Sequence, residues 1–349
     1  NKSSVDYGEL HEKFISVCEE VMRLGLHDSI IEGENKKNVV KSSQISYNRN
    51  PILNSPDDIT EELIQEIIDN NLDSLTINYE FTRAQFDKED WDVWLKEQYR
   101  TNPFWAANEK SELIRIEFEI ILGENVHSLA CAFYKMSSLE SVNLKDTSKV
   151  TNMRGMFAYA ESFNKPIGDW ITSNVTNMSY MFCRAKSFNQ PIGNWDTSNV
   201  TNMSGMFARA RSFHQPIGDW DVSNVRDMNR MFDYAEIFNQ DISKWDVSKV
   251  EDMHAMFKDT KDFNQLIGDW DTSNVKSMSS MFSYTKSFNQ SIGGWNISNV
   301  TDMSFMFYYA EKFNQPIGTW DISKLECKND MFIGAKSYSY LRKEIKEKK

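Results

Sequence analysis

Apolar residues between Val150 and Ser323 return every 25 residues, in seven copies with no insertion. Trp170, Trp195, Trp220, Trp245, Trp270, Trp295 and Trp320 mark one position, Val150 to Val300 a second, and the pairs from Met156-Phe157 to Met306-Phe307 a third. A fixed period of this length belongs to stacked repeats, in which no unit buries its apolar face alone and its neighbours complete the core. Within residues 200–224, Met203, Met206, Phe207, Ala210 and Phe213 have the spacing of one face of a short helix. Residues 152, 177, 202, 227, 252, 277 and 302, just before each such helix, are all Asn, Asp or Ser, which cap helix N-termini. Gln215-Pro216-Ile217-Gly218 turns the chain, Ile217 and Trp220 fall on a short extended stretch, and Asp221 to Val225 leads into the next copy. The pattern predicts an α/β solenoid of about eight strand-turn-short-helix units, with the wider helices on its outer side.

Outside the regular copies the pattern loosens. Residues 126–149 carry a degenerate repeat with Phe133, Leu139, Val142 and Leu144 at its apolar positions, and Met331, Phe332, Ala335 and Tyr338 supply one more helical half. Leu10, Phe14, Val17, Val21 and Leu24 predict an amphipathic helix within residues 1–30, and polar residues 31–54 a loop or linker. Ser55-Pro56-Asp57-Asp58 is a helix-start signal leading into Leu63, Ile64, Ile67 and Ile68. Leu75, Ile77, Tyr79 and Phe81 alternate as a half-buried strand, as do Ile114, Ile116, Phe118 and Ile120, with a short helix around Trp91, Trp94, Leu95 and Tyr99 between them. Residues 1–125 therefore read as a mixed α+β capping region, 126–338 as the repeat stack and 339–349 as a charged tail.

Several columns could carry chemistry, and each has a plainer structural explanation. A tryptophan in every copy could stack on sugars, but aromatic bodies along a column bury large areas and read first as core. The Ser148–Ser323 and Asn164–Asn314 columns, the latter interrupted by His214, read as side chains satisfying backbone groups at turns. Acids beside the tryptophans are interrupted by Ile171, Asn296, Asn194, Lys244, Gly294 and Thr319, so they read as a solvated face rather than a calcium ladder. Asn174-Val175-Thr176, Asn199-Val200-Thr201 and Asn299-Val300-Thr301 match a glycosylation acceptor pattern, yet recur at fixed repeat positions.

Composition narrows the options. The net charge of −12 argues against a nucleic-acid partner, since phosphate binding needs a basic footprint. No run approaches the ~20 apolar residues of a membrane span. Cys18, Cys131, Cys183 and Cys327 form no CxxC pair, and His11, His27, His127, His214 and His254 have no ligand spacing. Neither a cofactor nor a catalytic residue is expected.

The string Asn199-Val200-Thr201-Asn202-Met203-Ser204-Gly205-Met206-Phe207, with Ala210, Phe213 and Pro216-Ile217-Gly218-Asp219-Trp220, resembles the 25-residue repeat of mycoplasma-type surface lipoproteins. These belong with the BspA-like leucine-rich repeats. The resemblance covers roughly residues 126–338 and implies a leucine-rich-repeat-like solenoid with an adhesive or partner-binding role and no catalytic residues.

The most informative positions are those where the copies disagree. Tyr180 with Arg184, Arg230 with Tyr234 and Phe305 with Tyr309 form pairs four residues apart, and Tyr159, Arg209 and Tyr284 continue the row. Variation beside a fixed core implies an outward face, and Tyr and Arg favour protein interfaces. The expected function is non-enzymatic protein binding, at a cell surface, outside the cell or on a virion. A carbohydrate-binding adhesin and a structural assembly subunit are the alternatives.

Overall fold

The computed structural model describes residues 50–79 and 102–339. The expected helix within residues 1–30, Phe81, the expected helix around Trp91–Tyr99 and the tail beyond 339 lie outside the described residues.

Three short parallel strands begin the described part: β1 (Ile52–Leu53), β2 (Ser74–Ile77) and β3 (Glu119–Leu122), paired in that order. Strand β1 falls where the polar composition predicts a linker, because a two-residue apolar pair carries no periodicity. Between β1 and β2 runs helix α1 (Glu61–Asp69). The Ser55 signal does form a capping box, but on a single 3₁₀ turn, Pro56–Asp58. Helix α1 starts later, where the Thr60 hydroxyl accepts from the Leu63 amide at 3.2 Å, and Leu63, Ile64 and Ile67 are buried. Asn70, left-handed at φ 58°, ends it.

Before β3 comes a helix that the sequence reading lacks, α2 (Pro103–Ser111). Its start is conventional: the Asn102 side chain accepts from the amides of Phe104 and Trp105, and proline occupies the first position. Phe104, Trp105, Ala106 and Ala107 are buried as a consecutive run, which hides the one-faced spacing that announces a helix. Of the expected alternation after it, Ile116, Phe118 and Ile120 are buried but Ile114 is half exposed.

The repeats pack differently from the expected strand-turn-helix unit. Residues 123–339 contain neither an α-helix nor an extended strand, only turns and isolated parallel bridges. The bridges form an unbroken series, Ser128–Asn152–Asn177–Asn202–Asp227–Asp252–Ser277–Asp302–Cys327, so successive copies lie side by side as parallel coils. In residues 203–210 the amides divide into two sets. Those of Met203, Gly205, Phe207 and Arg209 donate to the next coil, at Asp227, Asn229, Met231 and Asp233, over 2.6–3.0 Å. Those of Met206, Ala208 and Ala210 close turns within their own coil, on Met203, Gly205 and Phe207. With the Ser204 amide donating to the Asn202 side chain, half the bonds of a sheet and half those of a tight-turn string satisfy the segment's amides without a helix. Helix-bearing units do occur, but earlier, where β1, α1 and β2 step 24 residues from Ile52 to Thr76.

The anchors expected from the period are the core. Phe157, Phe182, Phe207, Phe232, Phe257, Phe282, Phe307 and Phe332 stack as one column with ring centroids 5.5–5.8 Å apart. A second column runs beside it from Phe163 to Tyr338. In the interior coils these rings and the methionines are fully buried, each contributing about 1.5–3 kcal/mol of transfer free energy. The stack's indoles are 3–9% exposed. From Trp195 to Trp320 their Nε1–H groups donate to an isoleucine carbonyl of the preceding coil, as from Trp245 to Ile217 at 3.1 Å.

Candidate interaction surface

The nine residues of the expected contact row share a backbone conformation. Tyr159, Tyr180, Arg184, Arg209, Arg230, Tyr234, Tyr284, Phe305 and Tyr309 all have φ between 54° and 64°. Each coil places two left-handed residues four apart, from Gly155 and Tyr159 to Asp330 and Gly334. The first is the third residue of the turn closed by the Met206 amide on Met203 and its equivalents, where a positive φ marks a type II turn. Three of the sixteen slots are glycine; each other slot costs roughly 1–2 kcal/mol, which the cross-coil bonds on both sides override. The pairs four apart therefore lie on tight turns and not on the expected helix.

The Asn and Asp residues expected to cap helices cap the first of these turns, while Ser277 meets the Ser279 hydroxyl instead. Asn202 accepts from the Ser204 amide at 2.9 Å and Asp227 from the Asn229 amide at 3.0 Å.

Side chains from the left-handed slots lie along the ladder, over neighbouring coils. The ring of Tyr180 covers Gly205 and that of Tyr309 covers Gly334. The guanidinium of Arg184 stands 4.9 Å from the ring of Tyr159, and that of Arg209 4.5 Å from Tyr234. Tyr284 and Tyr309 are parallel at 5.2 Å. The row is thus one continuous surface. It is half-buried through most of its length and exposed at Phe305 and Tyr309.

The geometry adds residues that pairs four apart do not reveal. Arg154 lies 5.7 Å from the ring of Tyr180, Lys258 5.7 Å from Tyr234, and Tyr308 packs edge-on against Tyr284 and Phe305. Asp233, 2% exposed, meets Arg230 at 3.5 Å, and its Oδ1 has no hydrogen-bond partner. Burial pushes its carboxyl up to about 6. Asp252, on the bridge series, is also pushed up to about 6 by burial, with Asp227 and Asp302 adding to the effect. Their signal was variability at two further positions, those of Arg154 and Asp233, which the row of pairs leaves out.

The other candidate columns serve the backbone. Asn164, Asn189, Asn239, Asn264, Asn289 and Asn314 each accept, through Oδ1, an amide or a glutamine side chain of the next coil. The serine column does not serve backbone groups with its side chains as expected: the serine amides, and the Ser198 hydroxyl, donate to the acids after the tryptophans, as Ser198 to Asp196 and Ser223 to Asp221. Bonds from Ser198 hold the Asp196 carboxyl below the usual range. Among the described residues no group of three or more His, Cys, Asp or Glu could hold a metal ion. Asn174, Asn199 and Asn299, of the acceptor-like triplets, spend their side-chain amides on Ser148, Ser173 and Ser273 carbonyls. With its indoles buried, the ladder has no tryptophan face to offer a sugar, against the carbohydrate alternative.

The repeat period, the parallel coils and the turn strip all lie in the span that one known family covers. The family described as "Mycoplasma protein of unknown function, DUF285" matches residues 127–245 and again 235–344, more than half of the chain. The chain belongs to this family. No curated protein matches it. A solved structure that matches is titled "Crystal structure of TLR13-ssRNA13 complex", with 9% identity and a TM-score of 0.19. The alignment covers 79% of this chain and 51% of that one, so the chain spans about half the length of that neighbour. Among the described residues no helix is long and apolar enough to cross a membrane.

Proposed function

We propose that this DUF285 member is a non-catalytic protein-binding scaffold, a leucine-rich-repeat-like solenoid of 25-residue coils related to the BspA-like surface proteins. One observation carries the reading: the slots where the copies differ share one backbone conformation and line one outward strip, beside a core that does not change. Such a strip varies its side chains without disturbing the stack, which is what a recognition surface requires. Tyr and Arg, favoured in the energetic centres of interfaces, hold nearly all of the candidate row. Display at a cell surface, outside the cell or on a virion follows from the resemblance to surface lipoproteins.

The test is partner capture from the native source by cross-linking, using the full chain and its triple variant Tyr180→Ser, Arg230→Ser, Tyr309→Ser. The triple variant is expected to lose proteins that the wild type captures. An unchanged set of cross-linked proteins overturns the reading, and a chain that captures only itself favours the assembly subunit.

A further inference from the structure

Charge on the strip is divided along its length. Arg154, Arg184 and Arg209 belong to three successive coils, are half-buried, and stand over the rings of Tyr180, Tyr159 and Tyr234. Neighbouring cations have carboxylates: Lys186 meets Glu161 at 2.7 Å, Arg211 meets Glu236 at 3.3 Å, and Arg230 meets Asp233. None of the three stacked arginines has an ion pair or a side-chain hydrogen bond among the described residues. The adjoining positions in their coils are neutral. On the bridge series these are Asn152, Asn177 and Asn202, giving way to Asp227, Asp252 and Asp302 only in later coils. At the position of Asp233 they are Ala158, Cys183 and Ala208. In a chain of net charge −12, Arg154 and Arg184 are left without an acid among the described residues, and Arg209 has near it only the buried Asp233 of the next coil, which Arg230 already engages.

An aromatic ring occupies one face of a guanidinium and leaves its in-plane N–H donors to pair with a carboxylate in fork geometry. Partial burial strengthens such a pair relative to one in open water. Along the ladder the coil step is given by ring spacings of 5.8 and 5.7 Å from Phe157 to Phe182 to Phe207. An extended peptide sets side chains of one face about 6.6–6.8 Å apart, comparable to the step between the coils that carry the three arginines.

We propose that this part of the strip, on the reading of the chain as a protein-contact scaffold, binds an acidic polypeptide segment through Arg154, Arg184 and Arg209.

Fluorescence anisotropy with the full chain and three labelled probes of equal length tests this: an alternating Glu-Ser peptide, its Gln-Ser analogue and oligothymidylate. The Glu-Ser peptide is expected to bind more tightly than the Gln-Ser peptide and to weaken as salt rises. The triple variant R154Q/R184Q/R209Q is expected to lose at least about 30-fold in affinity, since each charge-assisted bond is worth about tenfold. The variant Leu266→Ser, at an exposed position outside the strip, is expected to bind the Glu-Ser peptide as the wild type does. Should the triple variant melt early, the three single Arg→Gln variants take its place, each expected to lose several-fold. Equal binding of the two peptides, or an unchanged affinity in the Gln variants, overturns the proposal. Tighter binding of oligothymidylate through the same arginines also overturns it, in favour of a nucleic acid. If the peptide arm fails while the Tyr180, Arg230 and Tyr309 triple variant still loses cross-linked proteins, the scaffold reading stands and its acidic partner falls.

Discussion

The ring of Tyr180 lies across the α-carbon of Gly205, so close that a methyl group placed there would come within 2.4 Å of it. Two demands meet at Gly205: a left-handed backbone, at φ 57°, and room for the ring of the preceding coil. Gly205→Ala is expected to destabilise the protein by roughly 2–3 kcal/mol, about 1 from the backbone and the rest from displacing the ring. In a Tyr180→Ala background the same substitution should cost only the backbone share. A double-mutant cycle by urea denaturation measures the difference.

Phe232 sits mid-column between Phe207 and Phe257 and is fully buried. Phe232→Ala is expected to cost about 3–5 kcal/mol, the range for an aromatic removed from a packed core. Phe332→Ala, in the last described coil where the ring is partly exposed, is expected to cost less. Comparing the two denaturation midpoints checks the order.

Trp245 contributes a buried ring and a hydrogen bond. Trp245→Phe keeps most of the ring but takes from the Ile217 carbonyl one of its two donors, at 3.1 Å, leaving the Trp220 amide at 3.2 Å. The expected loss is about 0.5–1.5 kcal/mol for one buried hydrogen bond, read as a lower thermal midpoint. A variant as stable as the wild type would show that the indole N–H is dispensable.

Asp233 gives the protein a titration of identifiable sign. Its folded carboxyl is raised to about 6, so between the unfolded value near ~3.9 and 6 the folded state holds the extra proton. Stability from this group therefore falls as pH rises through that window, by on the order of 2 kcal/mol, and is flat above it. Asp233→Asn is expected to remove that part of the slope. The check is the wild-type minus variant unfolding free energy at pH 4 and pH 7. If that difference is the same at both, Asp233 does not titrate in this range.

Much of the core was legible in the sequence because burial enforces it at every repeat. The Met, Phe, Ile, Val and Trp anchors had to recur, and the Asn and Asp turn caps recur with them. The helix was not legible. Met203, Met206, Phe207 and Ala210 face inward equally well from a string of turns whose alternate amides bond to the next coil, and spacing alone does not separate the two. A cue did exist: glycine at 155 and 205 shares a slot with Tyr180, Arg230 and Phe305, and glycine beside bulky residues in one column marks a positive φ. The candidate row itself was legible as variation. Its conformation, and the stacking of Arg184 on Tyr159 or Arg209 on Tyr234, depended on which coil each side chain leans over, and a single chain of letters does not record that. Helix α2 was hidden by four consecutive buried residues, Phe104 to Ala107.

The alternating amides of the turn strip also give the stack a polarity. From Met153 to Tyr309 they reach from an earlier coil to a carbonyl of a later one, while those of Asp330, Phe332 and Gly334 find no carbonyl among the described residues. Within the strip each coil therefore offers amide hydrogens to the coil that follows and carbonyls to the coil before it, as successive strands of a one-way ladder would. Flanking positions run the other way, as the Thr301 amide to the Lys276 carbonyl and the Ser337 amide to the Glu311 carbonyl. Each pair of coils is thus clasped from both sides, and a coil can dock on its neighbour in one orientation and one register.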